Sequence, residues 1–152
     1  MAIASPVRGR RSERLRQAEM VELIGRVPVF RRCTKRDLRL IAGITTVVDL
    51  PAGRQLTREG EPGREFAVIV AGAVEVTRGK RRIRKLGPGD WLGEIALLTG
   101  GPRTATATTV APTRVLLIRG GMFRSLLEAT PSLAFRVLER VAALVPDEER
   151  RC

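Results

Sequence analysis

The hydrophobic pattern changes period twice along the chain. From Ser12, suited to cap a helix, an imperfect helical stripe of Leu15, Ala18, Met20, Leu23 and Ile24 predicts a helix reaching about Gly25. Pro28 ends that run. Thr34 followed by Asp37 resembles a capping box, and predicts a short helix that turns Leu38, Ile41 and Ala42 inward and stops at Gly43. The texture then becomes β-like. Ile44–Leu50, Gln55–Arg58, Glu65–Ala71, Ala73–Arg78, Arg81–Leu86, Thr104–Val110 and Arg114–Ile118 are short runs, separated for the most part by Gly- and Pro-rich turn segments. Strands of this length and spacing predict a sandwich or barrel. After Gly120-Gly121 the helical period returns. Met122–Ala129 fits one helix; Thr130 and Pro131 supply an N-cap and first-turn proline for another, with Leu133, Val137, Leu138, Val141, Leu144 and Val145 as its apolar face.

Composition narrows what such a fold does. Lys and Arg number 28 against 16 Asp and Glu, a formal charge of +12 on 152 residues, and the only lysines are Lys35, Lys80 and Lys85. That length supports one domain with a real core, and 43% hydrophobic residues exclude wholesale disorder. There is no histidine, which removes Ser-His and Cys-His nucleophiles, His-ligated metals and His proton shuttles. Aromatics at 3%, with no Tyr and one Trp, speak against a base-stacking nucleic-acid platform. Cys33 and Cys152 form no closely spaced pair, so a reducing cytoplasm is the expected compartment. No apolar run reaches the length of a membrane span. Residues 1–15 read as a flexible basic arm, 16–145 as the folded domain and 146–152 as a polar tail. Arg78 to Lys85 holds six basic residues in eight; it reads as a solvated hairpin tip, with a partner-docking patch as the alternative. Trp91 reads as core or a corner of the roll, and Cys33 as inert.

The candidate chemistry lies where the β pattern breaks, from Gly93 to Thr106. A glycine lets backbone approach a ligand closely. Glu94 to Leu98 is long enough for one helical turn whose amides favour an anion. The chain then turns at Gly100-Gly101-Pro102 and returns with Arg103, able to fork onto a phosphate, and Thr104, able to donate one more bond. Glu94 would repel a phosphate but suits a ligand hydroxyl. The segment therefore suggests a phosphate and a sugar hydroxyl held close together.

The run Gly93-Glu94-Ile95-Ala96-Leu97-Leu98, followed by Pro102-Arg103-Thr104-Ala105-Thr106, resembles the phosphate-binding cassette of the cyclic nucleotide-binding domain family. Catabolite activator protein, the regulatory subunits of cAMP-dependent protein kinase and cyclic-nucleotide-gated channels belong to that family. The resemblance spans roughly residues 20–145, taking in Val27-Pro28-Val29-Phe30, Pro51-Ala52-Gly53, Gly60, Gly63, Gly72 and Gly87-Pro88-Gly89-Asp90. It implies an eight-stranded β-roll, a double-stranded β-helix of jelly-roll type. N-terminal helices, a short cassette helix and C-terminal lid helices would flank it. It implies cAMP, with cGMP possible, as ligand, and no metal. Arg103 would pair with the cyclic phosphate, Glu94 with the ribose 2′-hydroxyl, and Leu92, Gly93, Ile95 and Ala96 would line the phosphate and ribose. Thr104 would reach the phosphate, Val76 the purine, and the last helix would close over the base with Leu138, Arg140 or Val141. Where many relatives carry an acidic residue that holds the cassette arginine, this chain has Arg64, with Glu65 beside it.

The function implied is a stand-alone cyclic nucleotide sensor that converts binding into rearrangement of its last helix. The alternatives are a DNA-associated or partner-docking regulator, or a regulatory segment of a larger protein such as a channel. Specific DNA binding would need a helix-turn-helix after the last helix, and an unknown protein effector is the expected partner. An enzyme is the least supported class.

Overall fold

The structure is a computed structural model that describes residues 17–93, 98 and 100–143. Its elements run α1 (Gln17–Gly25), a 3-10 turn (Pro28–Phe30), α2 (Lys35–Ile44), β1 (Thr45–Leu50), β2 (Gln55–Thr57), β3 (Glu65–Ala71), β4 (Val74–Arg78), β5 (Arg81–Leu86), β6 (Trp91–Leu92), β7 (Thr106–Thr109), β8 (Thr113–Arg119), α3 (Gly120–Ala129) and α4 (Pro131–Ala142). The strands form two antiparallel four-stranded sheets, β1-β8-β3-β6 and β2-β7-β4-β5. This is the expected roll with helices at both ends.

The two sheets differ because one is covered on both faces. Alternate residues of β3 and β8 serve two separate cores. Ala67, Ile69, Val115 and Leu117 join Val48, Leu56, Val74, Val76, Leu86 and Ala107 inside the roll. Phe66, Val68, Leu116 and Ile118 face outward and pack against Met20, Ile24, Phe30, Ile41, Phe123, Leu126, Leu133 and Val137 of the helical layer. The ring of Phe66 stacks on that of Phe123 with centroids 4.3 Å apart. The second sheet has one solvated face, and β4 alternates buried with half-exposed residues accordingly. Its outer strand β5 is exposed from Arg81 to Lys85.

Several predicted boundaries move for identifiable reasons. The capping box forms in full: Asp37 N–H donates to Thr34 Oγ1 and Thr34 N–H to Asp37 Oδ2. Helix α2 nevertheless passes through Gly43 to Ile44, and Thr45, which donates from Oγ1 to the Ile41 carbonyl at 2.6 Å, passes straight into β1. Strand β2 ends at Thr57, as the Arg58 carbonyl accepts from Glu61 N–H in a turn at 3.1 Å, and β7 begins only at Thr106, where the carbonyls before it are taken by side chains. Thr57 Oγ1 donates to Ala105 O at 3.0 Å and Arg78 Nε to Thr104 O at 3.1 Å. Strand β6 was absent from the sequence pattern. Thr130 does begin α4, but its hydroxyl does not cap it; Oγ1 is buried with no partner among the described residues. On α4, Leu133 and Val137 face the core as expected, whereas Leu138 is 61% exposed. Leu144 and Val145, like Ser12 and Leu15, lie outside the described residues.

Candidate ligand pocket around Arg103

Arg103 is set in place by its main chain. Its N–H donates to Glu61 O at 2.7 Å and its carbonyl accepts from Gly60 N–H at 2.9 Å. The turn before β3 thus grips the segment on both sides of this residue, and Pro62 bridges Pro102 alongside. The side chain runs inward. It is 4% exposed, and Nη2 donates to the main-chain carbonyl of Glu65 at 2.8 Å. Gly93 lies against the same guanidinium. It has φ 101°, and a Cβ there would stand 2.5 Å from both Arg103 Nη1 and the Glu65 carbonyl oxygen. Glycine is needed at this position for conformation and for space.

The guanidinium faces a cavity of about 160 Å³. Val76, Leu86 and Ala107 give it an apolar wall, from residues otherwise part of the roll core. Leu92, Gly93, Arg103 and Thr104 line the cassette side. Arg78, Ile83 and Arg84 reach it from the β4–β5 hairpin, and Trp91 and Arg140 from β6 and α4. Ile83 reaches the pocket at a β-bulge: Val76 pairs with Arg84 but Thr77 pairs with Arg82, leaving Ile83 as the extra residue. No acidic side chain is among the described lining residues. An apolar wall beside one buried guanidinium and a ring of further arginines suits a planar apolar body carrying an anionic group.

The family model of the cyclic nucleotide-binding domain matches residues 47–130. The chain belongs to the cyclic nucleotide-binding domain family. It is 32% identical to a cyclic nucleotide-gated potassium channel of Mesorhizobium japonicum over 113 residues, covering 74% of this chain and 31% of the channel. It is 28% identical to a CRP-like cAMP-activated global transcriptional regulator of Mycobacterium tuberculosis, covering 81% of this chain and 57% of the regulator. The chain therefore spans less than three fifths of either relative. The co-crystal structure of the regulatory domain of Toxoplasma gondii PKA with cAMP superposes with a TM-score of 0.75 at 20% identity, covering 86% of this chain and 51% of that one. That likeness establishes the β-roll fold.

Of the site residues expected from the sequence, the domain brings Val76, Leu92, Gly93, Arg103, Thr104 and Arg140 to one cavity. Glu94, Ile95 and Ala96 lie outside the described residues. Leu138, an alternative base contact, points to solvent, and Val141 packs against the helical core. Glu65 reaches Arg103 through a main-chain oxygen, while Arg64 is exposed. Sequence reasoning missed Trp91, Arg78 and Arg84 as pocket residues. Trp91 sits immediately before the cassette, which was the available signal. The two arginines belong to a basic run with no internal mark to separate pocket residues from solvated ones.

Proposed function

We propose that this domain binds a cyclic purine nucleotide, cAMP first and cGMP as the alternative, and passes the event to its last helix. The observation that carries the reading is the Arg103 guanidinium, buried on the cavity wall between Gly93 and the Glu65 carbonyl. A guanidinium oriented by its bond to the Glu65 carbonyl and by close packing suits a bidentate contact with a single phosphate. Val76, Leu86 and Ala107 offer the apolar surface for a purine, and Thr104 a hydroxyl beside the phosphate. Glu94 is assigned to the ribose hydroxyl by its place in the cassette. The roles proposed for these groups are binding and orienting, and the described lining residues include no carboxylate to act as a base, so the reading is a sensor and not an enzyme.

Capture at Arg103 draws the cassette against the roll and shifts the balance between positions of α4, by as much as the ligand's affinities for the two states differ. The output is a protein effector or a further segment of a longer chain, as in the relatives of greater length. Among the described residues no helix is long and apolar enough to cross a membrane. Calorimetric titration with cAMP and cGMP tests the reading: micromolar or tighter binding is expected, lost in Arg103→Ala. No heat with either nucleotide on folded protein sinks it, and conversion of cAMP to AMP by the protein would replace it with an enzyme.

A further inference from the structure

The last helix touches the pocket through a cation placed on a ring. The guanidinium carbon of Arg140 lies 4.6 Å from the centroid of Trp91, and both residues line the cavity. The two halves of α4 are held differently. As far as its middle, Leu133 and Val137 are fully buried and Arg136 Nη2 donates to Pro28 O at 3.1 Å, fixing the helix to the N-terminal layer. Beyond Val137 the hold is weaker: Val141 packs only partly against the same core, Leu138 is turned to solvent, and Arg140 reaches across to β6. Strand β6 is only two residues long, paired to β3 at Val68↔Trp91 and Ala67↔Leu92. Gly93 follows it directly, lying so close to the Arg103 guanidinium that a Cβ there would stand 2.5 Å from Nη1. A short continuous path therefore runs from the phosphate-facing arginine through Gly93 and β6 to Trp91, and from there to Arg140.

Resting on the reading above, we propose that the Arg140–Trp91 contact is the coupling element of this sensor, the joint through which capture at Arg103 is reported to the second half of α4. Arg140 is then a positioning residue, acting on the helix through Trp91. Motion of Gly93 displaces Trp91, because one residue of a two-residue strand separates them. An Arg-on-indole contact of this kind is worth about 0.5–2 kcal/mol, enough to bias a helix end by roughly two- to thirtyfold without locking it.

The test uses the full chain and its single tryptophan. Hydrogen exchange of the amides of residues 138–142 and Trp91 emission are measured without nucleotide and at cAMP saturation, with saturation established separately for each protein by calorimetry. For the native sequence, cAMP is expected to change both signals. In Arg140→Met, exchange in the free protein is expected to rise several-fold and the cAMP-dependent change at saturation to disappear, with partial return in Arg140→Lys, which keeps a cation over the ring. A cAMP-dependent change that survives intact in Arg140→Met overturns the coupling. So does complete loss of binding in that variant, which makes Arg140 a direct ligand contact. Heat of binding with no change at 138–142 in the native chain overturns the coupling alone; no heat at all overturns the functional reading beneath it.

Discussion

Arg103 donates from Nη2 to the main-chain carbonyl of Glu65 at 2.8 Å, an acceptor that no side-chain substitution at position 65 removes directly. The bond fixes the plane of the guanidinium, so charge alone does not reproduce the site. Arg103→Lys keeps the charge and loses the fork. We expect it to weaken cAMP binding by roughly ten- to a hundredfold in calorimetry, the scale of one or two charge-assisted bonds. Circular dichroism should show the roll intact. Lysine binding as tightly as arginine would show that position 103 acts only as a point charge.

Two glycines should separate binding from folding. Gly93→Ala puts a Cβ 2.5 Å from the Glu65 carbonyl oxygen and from Arg103 Nη1. Gly72→Ala puts one 2.5 Å from the Pro112 carbonyl, among residues that do not line the pocket. Both have φ 101° and both contact backbone, so each should cost on the order of 2 kcal/mol or more in urea unfolding. Gly53→Ala, at φ 87° with open space around it, should cost only about 1 kcal/mol. At temperatures where all three remain folded, only Gly93→Ala should lose cAMP affinity. Equal affinity losses at Gly72 and Gly93 would mean that the pocket responds to general loosening of the roll.

What the sequence makes legible is what local chemistry decides. The Thr34–Asp37 box is closed within one turn, and the predicted limits of β3 and β5 coincide with the structure because turn residues flank them. Strand β6 is too short to show a period, and it exists through pairing with β3. The outward turn of Leu138 was misread for a related reason. Leu133, Val137 and Leu138 fit one apolar stripe, but the N-terminal layer covers only the side holding the first two. For the pocket, Arg103 and Gly93 are legible from the cassette pattern. Trp91 is legible only by its place beside the cassette; its pairing with Arg140 is not, because that side chain reaches the ring only after the chain has passed through β7, β8 and α3.

Cys33 packs partly into the helical core, and burial, then the negative Asp37, push its thiol pKa up, opposed by a hydrogen bond with Ser132. A raised thiol pKa means that the folded protein holds its proton where the unfolded chain has begun to lose it. The associated stability is present below the ordinary thiol pKa and is lost as pH rises through the raised one. In a Cys152→Ser background, alkylation of Cys33 should be slow at neutral pH, accelerate only at alkaline pH, and be faster in denaturant throughout. Native labelling as fast as unfolded labelling at pH 7 would show an activated thiol instead.

The net charge of +12 should appear in the kinetics of ligand entry. Arg78 and Arg84 are exposed where they line the cavity, the rest of β5 from Arg81 to Lys85 is exposed and mostly basic, and no described lining residue is acidic. Such a field raises the local concentration of an anion, and salt screens it over about 10 Å at 0.1 M. In stopped-flow with a fluorescent cAMP analogue, the association rate should fall several-fold between about 50 and 500 mM NaCl, with dissociation changing less. Arg84→Gln should lower the low-salt association rate and flatten the salt dependence, whereas Arg103→Lys should act mainly on dissociation. This division follows from burial: an exposed charge lining the cavity acts on the approach of the anion, and the buried guanidinium acts after contact is made. An association rate indifferent to salt would mean that the basic excess serves some surface other than the pocket.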